Sequence, residues 1–353
     1  MKHYKLLSVC IAISLIHFNS FSQTDTIVKA KILDDGSQDA EKFYNSGISN
    51  FAAKNFQGAL TDFNQAITLK PDFEKAIYNR GATKVELKDY KGAIEDFNQS
   101  ITLAENPDSY FSRGQSKYAL ADKTGAFEDY TIAISKKADH AQAYYYRGQI
   151  KFETEDYKGA IEDYSKAINS KSDYAYAYND RAGAKRQLND IDGAINDYNK
   201  ALVVNSDMPF ANNNLGSAKR KKGDYKGAIL AYTEAIALKK DYYIAYNNRG
   251  SAKYDEGDYK GAIEDFTKAI ELKADYDFAY NNRADAKFKL KDYKGCVEDC
   301  TKAIQLNAKY GYAYMNRGNA KEMLRDNDGA CADWKKAIEL GVETAKNYVG
   351  DCK

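Results

Sequence analysis

Residues Tyr243–Tyr276 read YIAYNNRGSAKYDEGDYKGAIEDFTKAIELKADY, and a pattern of about this 34-residue length recurs along most of the chain. Tyr246, Gly250 and Tyr254 fall at i, i+4 and i+8, on one helical face. After a break at Gly257 and Asp258, a second apolar stripe follows at Ala262, Phe266, Ala269 and Ile270. The spacing predicts two amphipathic helices joined by a tight turn. Gly250 and Ala262 are small enough for the two axes to approach closely, and Asp258 is placed to accept from the free amides of the second helix.

Nine copies start at Ala40, Glu74, Pro107, Ala141, Ala175, Pro209, Tyr243, Asp277 and Gly311. Counted from each start, the eighth residue is Gly except at Ala182 and Ala284. The twentieth is Ala except Cys296, the twenty-fourth aromatic except Cys300, and the twenty-seventh Ala except Ser100. This pattern resembles the tetratricopeptide repeat (TPR), a 34-residue helix-turn-helix. The resemblance covers residues 40–344 and implies an all-α fold, a right-handed α-solenoid of helix-turn-helix repeats forming a superhelix. Two departures stand out. The proline usual near the end of the repeat survives only as Pro71, and the eleventh position, usually aromatic, is Lys in eight copies from Lys84 to Lys321, which places a charge in a core slot.

A repeat array escapes the size limit of a single core, because each unit packs only on its neighbours. With 52 basic against 51 acidic residues the formal charge is +1, which gives no global electrostatic footprint for nucleic acid or an anionic membrane. Chemistry is sparse. Beyond the first 22 residues the only histidine is His140, no phosphate-binding or dinucleotide-binding glycine motif occurs, and no nucleophile has a base within a motif. Neither an enzyme nor a cofactor or metal site is expected.

Met1–Ser22 reads as a secretory signal, with Lys2 and Lys5 ahead of an apolar run from Leu6 to Phe18 and small residues at Ser20 and Ser22. Residues 23–39 read as a polar tether, and 345–353 as a truncated helix capping the last repeat. An exported chain meets an oxidising compartment. Of the three pairings open to Cys296, Cys300, Cys331 and Cys352, a staple between Cys331 and Cys352 is one candidate, against the alternative that Cys296, Cys300 and Cys331 are small buried hydrophobes.

In seven copies the seventh residue is Arg with Asp sixteen residues later, including Arg80 with Asp96, Arg147 with Asp163 and Arg249 with Asp265. In the sixth copy both change together, to Leu215 and Ala231. Joint loss is what partly buried ion pairs predict, since removing one partner strands a desolvated charge. A charged binding stripe is the other reading. The nineteenth residue is Gly in every copy, from Gly58 to Gly329, and is read as inheritance from recent duplication. The basic run Lys219–Lys222 reads as a solvated helix end opposing the macrodipole.

In the resembled family first helices line a concave surface through positions two, five, nine and twelve. Carried onto this chain, the resemblance implies an aromatic patch of Tyr44, Tyr78, Phe111 and Tyr145 with Phe51, Tyr118 and Phe152. It gives way to an amide row at Asn179, Asn213, Asn247 and Asn281. The fifth and ninth positions never pair Lys with Asn, so the family's clamp for a C-terminal carboxylate is not expected. The expected function is a non-enzymatic adaptor or assembly scaffold of the cell envelope, periplasmic or secreted, binding a protein or extended peptide. A self-associating structural element and a glycan-binding accessory protein are the alternatives.

Overall fold

In a computed structural model, which describes residues 38–350 and 352, every repeat changes direction at its fifteenth and sixteenth residues. The fifteenth lies in left-handed backbone: Lys54, Lys88, Ala121, Glu155, Asn189, Lys291 and Arg325 have φ of 59° to 65°, and Gly223 and Gly257 have φ of 90° and 96°. That residue ends the first helix. The sixteenth then caps the second: Asp89, Asp122, Asp156 and Asp258 each accept the glycine N–H three residues on at 2.9–3.0 Å.

Eighteen α-helices and no strand result among the described residues, which fall into two compact units. The N-terminal unit ends at Ala143 and holds α1 (Gln38–Ala52), α2 (Phe56–Leu69), α3 (Glu74–Glu86), α4 (Tyr90–Leu103), α5 (Pro107–Ala119) and α6 (Lys123–Lys136). Helix α7 (Ala141–Glu153) carries the boundary. The C-terminal unit starts at Tyr144 and continues through α8 (Tyr157–Ser170), α9 (Ala175–Gln187), α10 (Ile191–Val204), α11 (Pro209–Lys222), α12 (Tyr225–Leu238), α13 (Tyr243–Glu256), α14 (Tyr259–Leu272), α15 (Asp277–Lys289), α16 (Tyr293–Leu306), α17 (Gly311–Met323) and α18 (Asn327–Glu339). Odd-numbered helices are the first of each repeat and even-numbered ones the second. Within each unit, successive helices pack as pairs that stack in chain order, the arrangement of a TPR solenoid. No helix among the described residues is long and apolar enough to cross a membrane.

In seven of the nine repeats the core is one aromatic ring on one glycine. A Cβ at Gly250 would lie 2.8 Å from the Phe266 ring and 3.2 Å from the Ala262 carbonyl, and one at Gly81 would lie 2.9 Å from Phe97. The two helices therefore meet at backbone distance, with Phe97 and Phe266 fully enclosed. Alanine takes the eighth position at Ala284, where the ring is replaced by the smaller Cys300.

Three expectations are corrected here. The glycine at position nineteen has a steric reason beyond duplication: a Cβ at Gly159 or Gly261 would come within 2.1–2.2 Å of the capping carboxylate, so any side chain displaces the cap. Among the described residues the C-terminal cap is not the truncated helix expected over 345–353. Gly341, at φ 87°, ends the last repeat, and the chain forms a 3₁₀ helix at Glu343–Asn347, as suits a segment too short to pay for helix nucleation. Tyr348 stacks on Trp334 at 5.4 Å, and a Cys331–Cys352 disulfide ties the end down, leaving Cys296 and Cys300 as buried thiols. Gln38 and Asp39, read as the end of a tether, open α1. The signal segment 1–22 and the tether up to residue 37 lie outside the described residues.

Candidate functional site

The recurring charges inside the repeats are triads. Arg80, Arg147 and Arg249 each grip the paired aspartate through two nitrogens, Nη2 lying 2.7 Å from Oδ1 in Asp96, Asp163 and Asp265. The eleventh-position lysine completes the set: Lys84, Lys151 and Lys253 reach the other carboxylate oxygen at 2.8–2.9 Å. The charge expected in a core slot is thus neutralised there by an acid the repeat already carries. Arg80 and Arg249 also cross to the previous repeat, Arg80 Nη1 reaching Asn64 Oδ1 at 3.0 Å and Arg249 Nη1 reaching Thr233 Oγ1 at 3.1 Å. In the first repeat Ser46 and Asn50 donate to Asp62 instead. These groups tie helices together. The basic run at the end of α11 is likewise engaged: Arg220 pairs with Asp255 and Lys222 with Asp192, both at 2.6 Å.

The fifth-position residues occupy the seam between successive repeats, which corrects the expectation that they form an open groove. Tyr44 is 0 % exposed, with its ring 4.9 Å from Phe73 and its hydroxyl accepting from Asn79 Nδ2 at 3.0 Å. Burial pushes its hydroxyl up to about 12, against a lowering by that hydrogen bond. Tyr78, Phe111 and Tyr145 are buried in the same way, Tyr78 sharing a hydrogen bond with Ser112. The amide row is also interior. Asn179, Asn213, Asn247 and Asn281 are buried, each accepting from the sixth residue of the next repeat: Asn214 at 3.4 Å, Asn248 and Asn282 at 3.0 Å, Asn316 at 3.1 Å. Each rung satisfies the buried Oδ1 of its fifth-position Asn, while Asn281 Nδ2 is left without a hydrogen-bond partner among the described residues. At the twelfth position Phe51 is buried and Phe152 partly so, each edge-on to an aromatic across the turn, Phe56 and Tyr157; Tyr118 is half-buried.

The accessible aromatic surface is one column away. The second position is Glu41, Lys75, Asp108 and Gln142 in the first four repeats, then Tyr176, Phe210, Ile244, Phe278 and Tyr312 in the last five. Phe278 is 42 % exposed and Tyr312 43 %, while Tyr176, Phe210 and Ile244 are partly buried. The rings form stretches in contact: Tyr176 stacks with Phe210 at 5.9 Å, and Tyr243, Tyr276, Phe278 and Tyr310 follow at 5.1, 5.9 and 5.2 Å. All lie in the C-terminal unit, on the first-helix side where positions two, nine and twelve share a face. Below them position nine is small at Gly183, Ser217 and Ser251, and position twelve carries Arg186, Arg220, Tyr254 and Phe288. The switch of the second position from polar to apolar, mostly aromatic, residues at the fifth repeat was visible in the sequence. It was hidden by the more regular aromatics at position five, whose regularity reflects their place in the core.

Family models described as "TPR repeat" match residues 216–257 and 250–291, and models described as "Tetratricopeptide repeat" match 111–179, 74–107 and 279–310. Together they span more than half of the chain. No curated protein matches the sequence. Among solved structures, a tetratricopeptide repeat protein from Parabacteroides merdae superposes with a TM-score of 0.56 at 19% identity, over 70% of this chain and 98% of that one. Pseudomonas aeruginosa pilF gives 0.51 at 19% identity, over 57% of this chain and 92% of that one. Both likenesses are of fold.

Proposed function

The chain belongs to the tetratricopeptide repeat family, and from that membership we propose that it is a non-enzymatic protein-binding adaptor or scaffold of the cell envelope. Its partner is an extended polypeptide segment lying along the first-helix face of the C-terminal unit. The observation that carries this reading is the second-position row, Tyr176 to Tyr312, whose side chains stay at least partly accessible, Phe278 and Tyr312 most of all, while the aromatics of position five are enclosed. Exposed aromatics give large contact area at low entropic cost, and a row of them with small residues alongside is a surface that gains by being covered. Export is supported by the signal-like pattern of residues 1–22 and by the Cys331–Cys352 disulfide, which suits an oxidising compartment.

The test is selection of peptides from a random library on the full chain, followed by titration against a Phe278→Ser/Tyr312→Ser variant and a control, Leu230→Ser, on the exposed side of α12. Loss of at least about tenfold in affinity for the row variant alone is expected. Equal binding by all three chains, with matching helical content, refutes this face as the site.

A further inference from the structure

Each rung between repeats joins a fifth residue to the sixth residue of the next repeat, and in the C-terminal unit the rungs from Asn214 onward are neutral amides. The rung below Tyr145 differs. Its sixth-position residue is Asp180, whose Oδ2 accepts from Tyr145 Oη at 2.7 Å and whose Oδ1 accepts from Asn179 Nδ2 at 2.8 Å. Gln149 hydrogen-bonds the same carboxylate and also donates to Tyr145 Oη at 3.0 Å. From α7 Tyr145 and Tyr146, from the start of α9 Tyr174, and from α10 Tyr198 all feel its negative charge.

No cationic side chain among the described residues forms an ion pair with Asp180. Arg181, next to it, is committed to Asp197 and Ser165. Other enclosed acids of this unit have a cation: Asp163, Asp197, Asp265, Asp299 and Asp333 each have two, and Asp285, hydrogen-bonded by Tyr254, lies in the field of Lys289. Nor does the architecture require an acid here. Beneath Tyr44 the same place is filled by Asn79, which makes the rung as a neutral donor. A half-buried carboxylate without a counter-ion opposes folding, and its desolvation accordingly raises its pKa.

We propose that Asp180, with the rings of Tyr145, Tyr146, Tyr174 and Tyr176, is a receptor for one guanidinium or alkylammonium side chain of the bound segment. A carboxylate beside a cluster of aromatic rings, Tyr145 lying 5.1 Å from Tyr146 and 4.8 Å from Tyr174, is an arrangement that favours an organic cation over water. Neutral donors fill three of its roughly four acceptor sites, which leaves one for an incoming N–H. The residue is partly accessible, and it lies on α9 four residues after Tyr176, the first ring of the exposed row, so cation and apolar side chains of one segment reach both at once. This receptor rests on the first-helix face being the partner surface.

The test uses the full chain and its Asp180→Asn variant, which has the Asn79 rung as its template for folding. The probes are N-acetyl-arginine amide and its neutral isostere N-acetyl-citrulline amide, read by shifts of the tyrosine ring resonances. Saturable binding of the arginine probe to the parent chain is expected, weakened at least about tenfold in the variant, with the citrulline probe bound by neither. Absence of saturable arginine binding, equal binding by both chains, or equal binding of both probes overturns the proposal. Library peptides without a basic residue keep the two readings separable. If they bind parent and variant alike while arginine binding fails, the partner surface stands and the receptor falls.

Discussion

Replacing Arg249 by Leu and Asp265 by Ala in the seventh repeat reproduces what the sixth repeat already contains, Leu215 and Ala231, where those side chains pack with Ala182, Ala194, Tyr198 and Ala218. Asp265, with a side chain 5 % exposed, receives Arg249 Nε at 2.9 Å, Arg249 Nη2 at 2.7 Å and Lys253 Nζ at 2.9 Å. Asp265→Ala removes all three and leaves two cations that keep some access to water, a loss of about 2–3 kcal/mol. Arg249→Leu leaves the acid held by Lys253 alone and also removes the guanidinium from the Tyr246 ring, 5.4 Å away, for about 2 kcal/mol. The double variant loses the attraction but strands no enclosed carboxylate, so its cost should be about 1–2 kcal/mol, a coupling of roughly 3 kcal/mol. Urea is the denaturant to use, because guanidinium chloride would screen the pairs under test. Repeat arrays open locally, so amide exchange in α13 and α14 should be read beside the global midpoint. A double variant as damaged as the sum of the singles, within about 0.5 kcal/mol, refutes the coupled triad.

Three further outcomes are expected. Glu155→Gly and Lys291→Gly, at left-handed φ of 64° and 65°, should each raise the stability read from urea unfolding by up to about 1 kcal/mol, and Gly257→Ala should lower it by a similar amount; unchanged stabilities would contradict the strain. Burial raises the Asp180 pKa, so its favourable contribution is full below the unfolded carboxyl value of about 3.9 and is lost as pH rises through its folded value. Asp180→Asn should therefore melt higher than the parent at pH 7, with the gap closing near pH 3; a gap independent of pH counts against the buried charge. Asp197 has the opposite sign, since burial acts to raise its pKa but the hydrogen bonds from Arg181 and Lys185 outweigh that; its stabilisation holds above the unfolded value and fades as pH falls through the folded one. Reducing Cys331–Cys352, which closes a separation of 21 residues, should release about 3 kcal/mol locally and lower the melting of the Trp334 fluorescence signal, Trp334 being the sole tryptophan; an unchanged transition would show the staple to be idle.

The helix pairs were legible because their cause is local. Gly250 under Phe266 and Asp258 at the turn are contacts within one repeat, and they recur in the same columns. The joint change to Leu215 and Ala231 pointed to an Arg–Asp contact for the same reason. The site was less legible because a column's regularity says that it is constrained without saying by what. Tyr44 and Asn247 recur because they fill the seam between repeats, and a periodic aromatic looks the same whether a neighbouring repeat or a ligand covers it. Lys253 looked like a charge in the core because its partner is twelve residues away on the other helix. The short cap followed from Gly341 and the Cys331 tether, neither of which helical periodicity registers.

The most direct measurement places a photo-crosslinking p-benzoylphenylalanine at position 278 on the exposed row or, in a second chain, at position 230 on the outer side of α12, where Leu230 is the more exposed residue at 68 %. Each chain is irradiated with a library-selected peptide. An adduct from position 278 and none from position 230 is the expected result. An adduct from position 230 alone, or from neither, would contradict binding on the first-helix face.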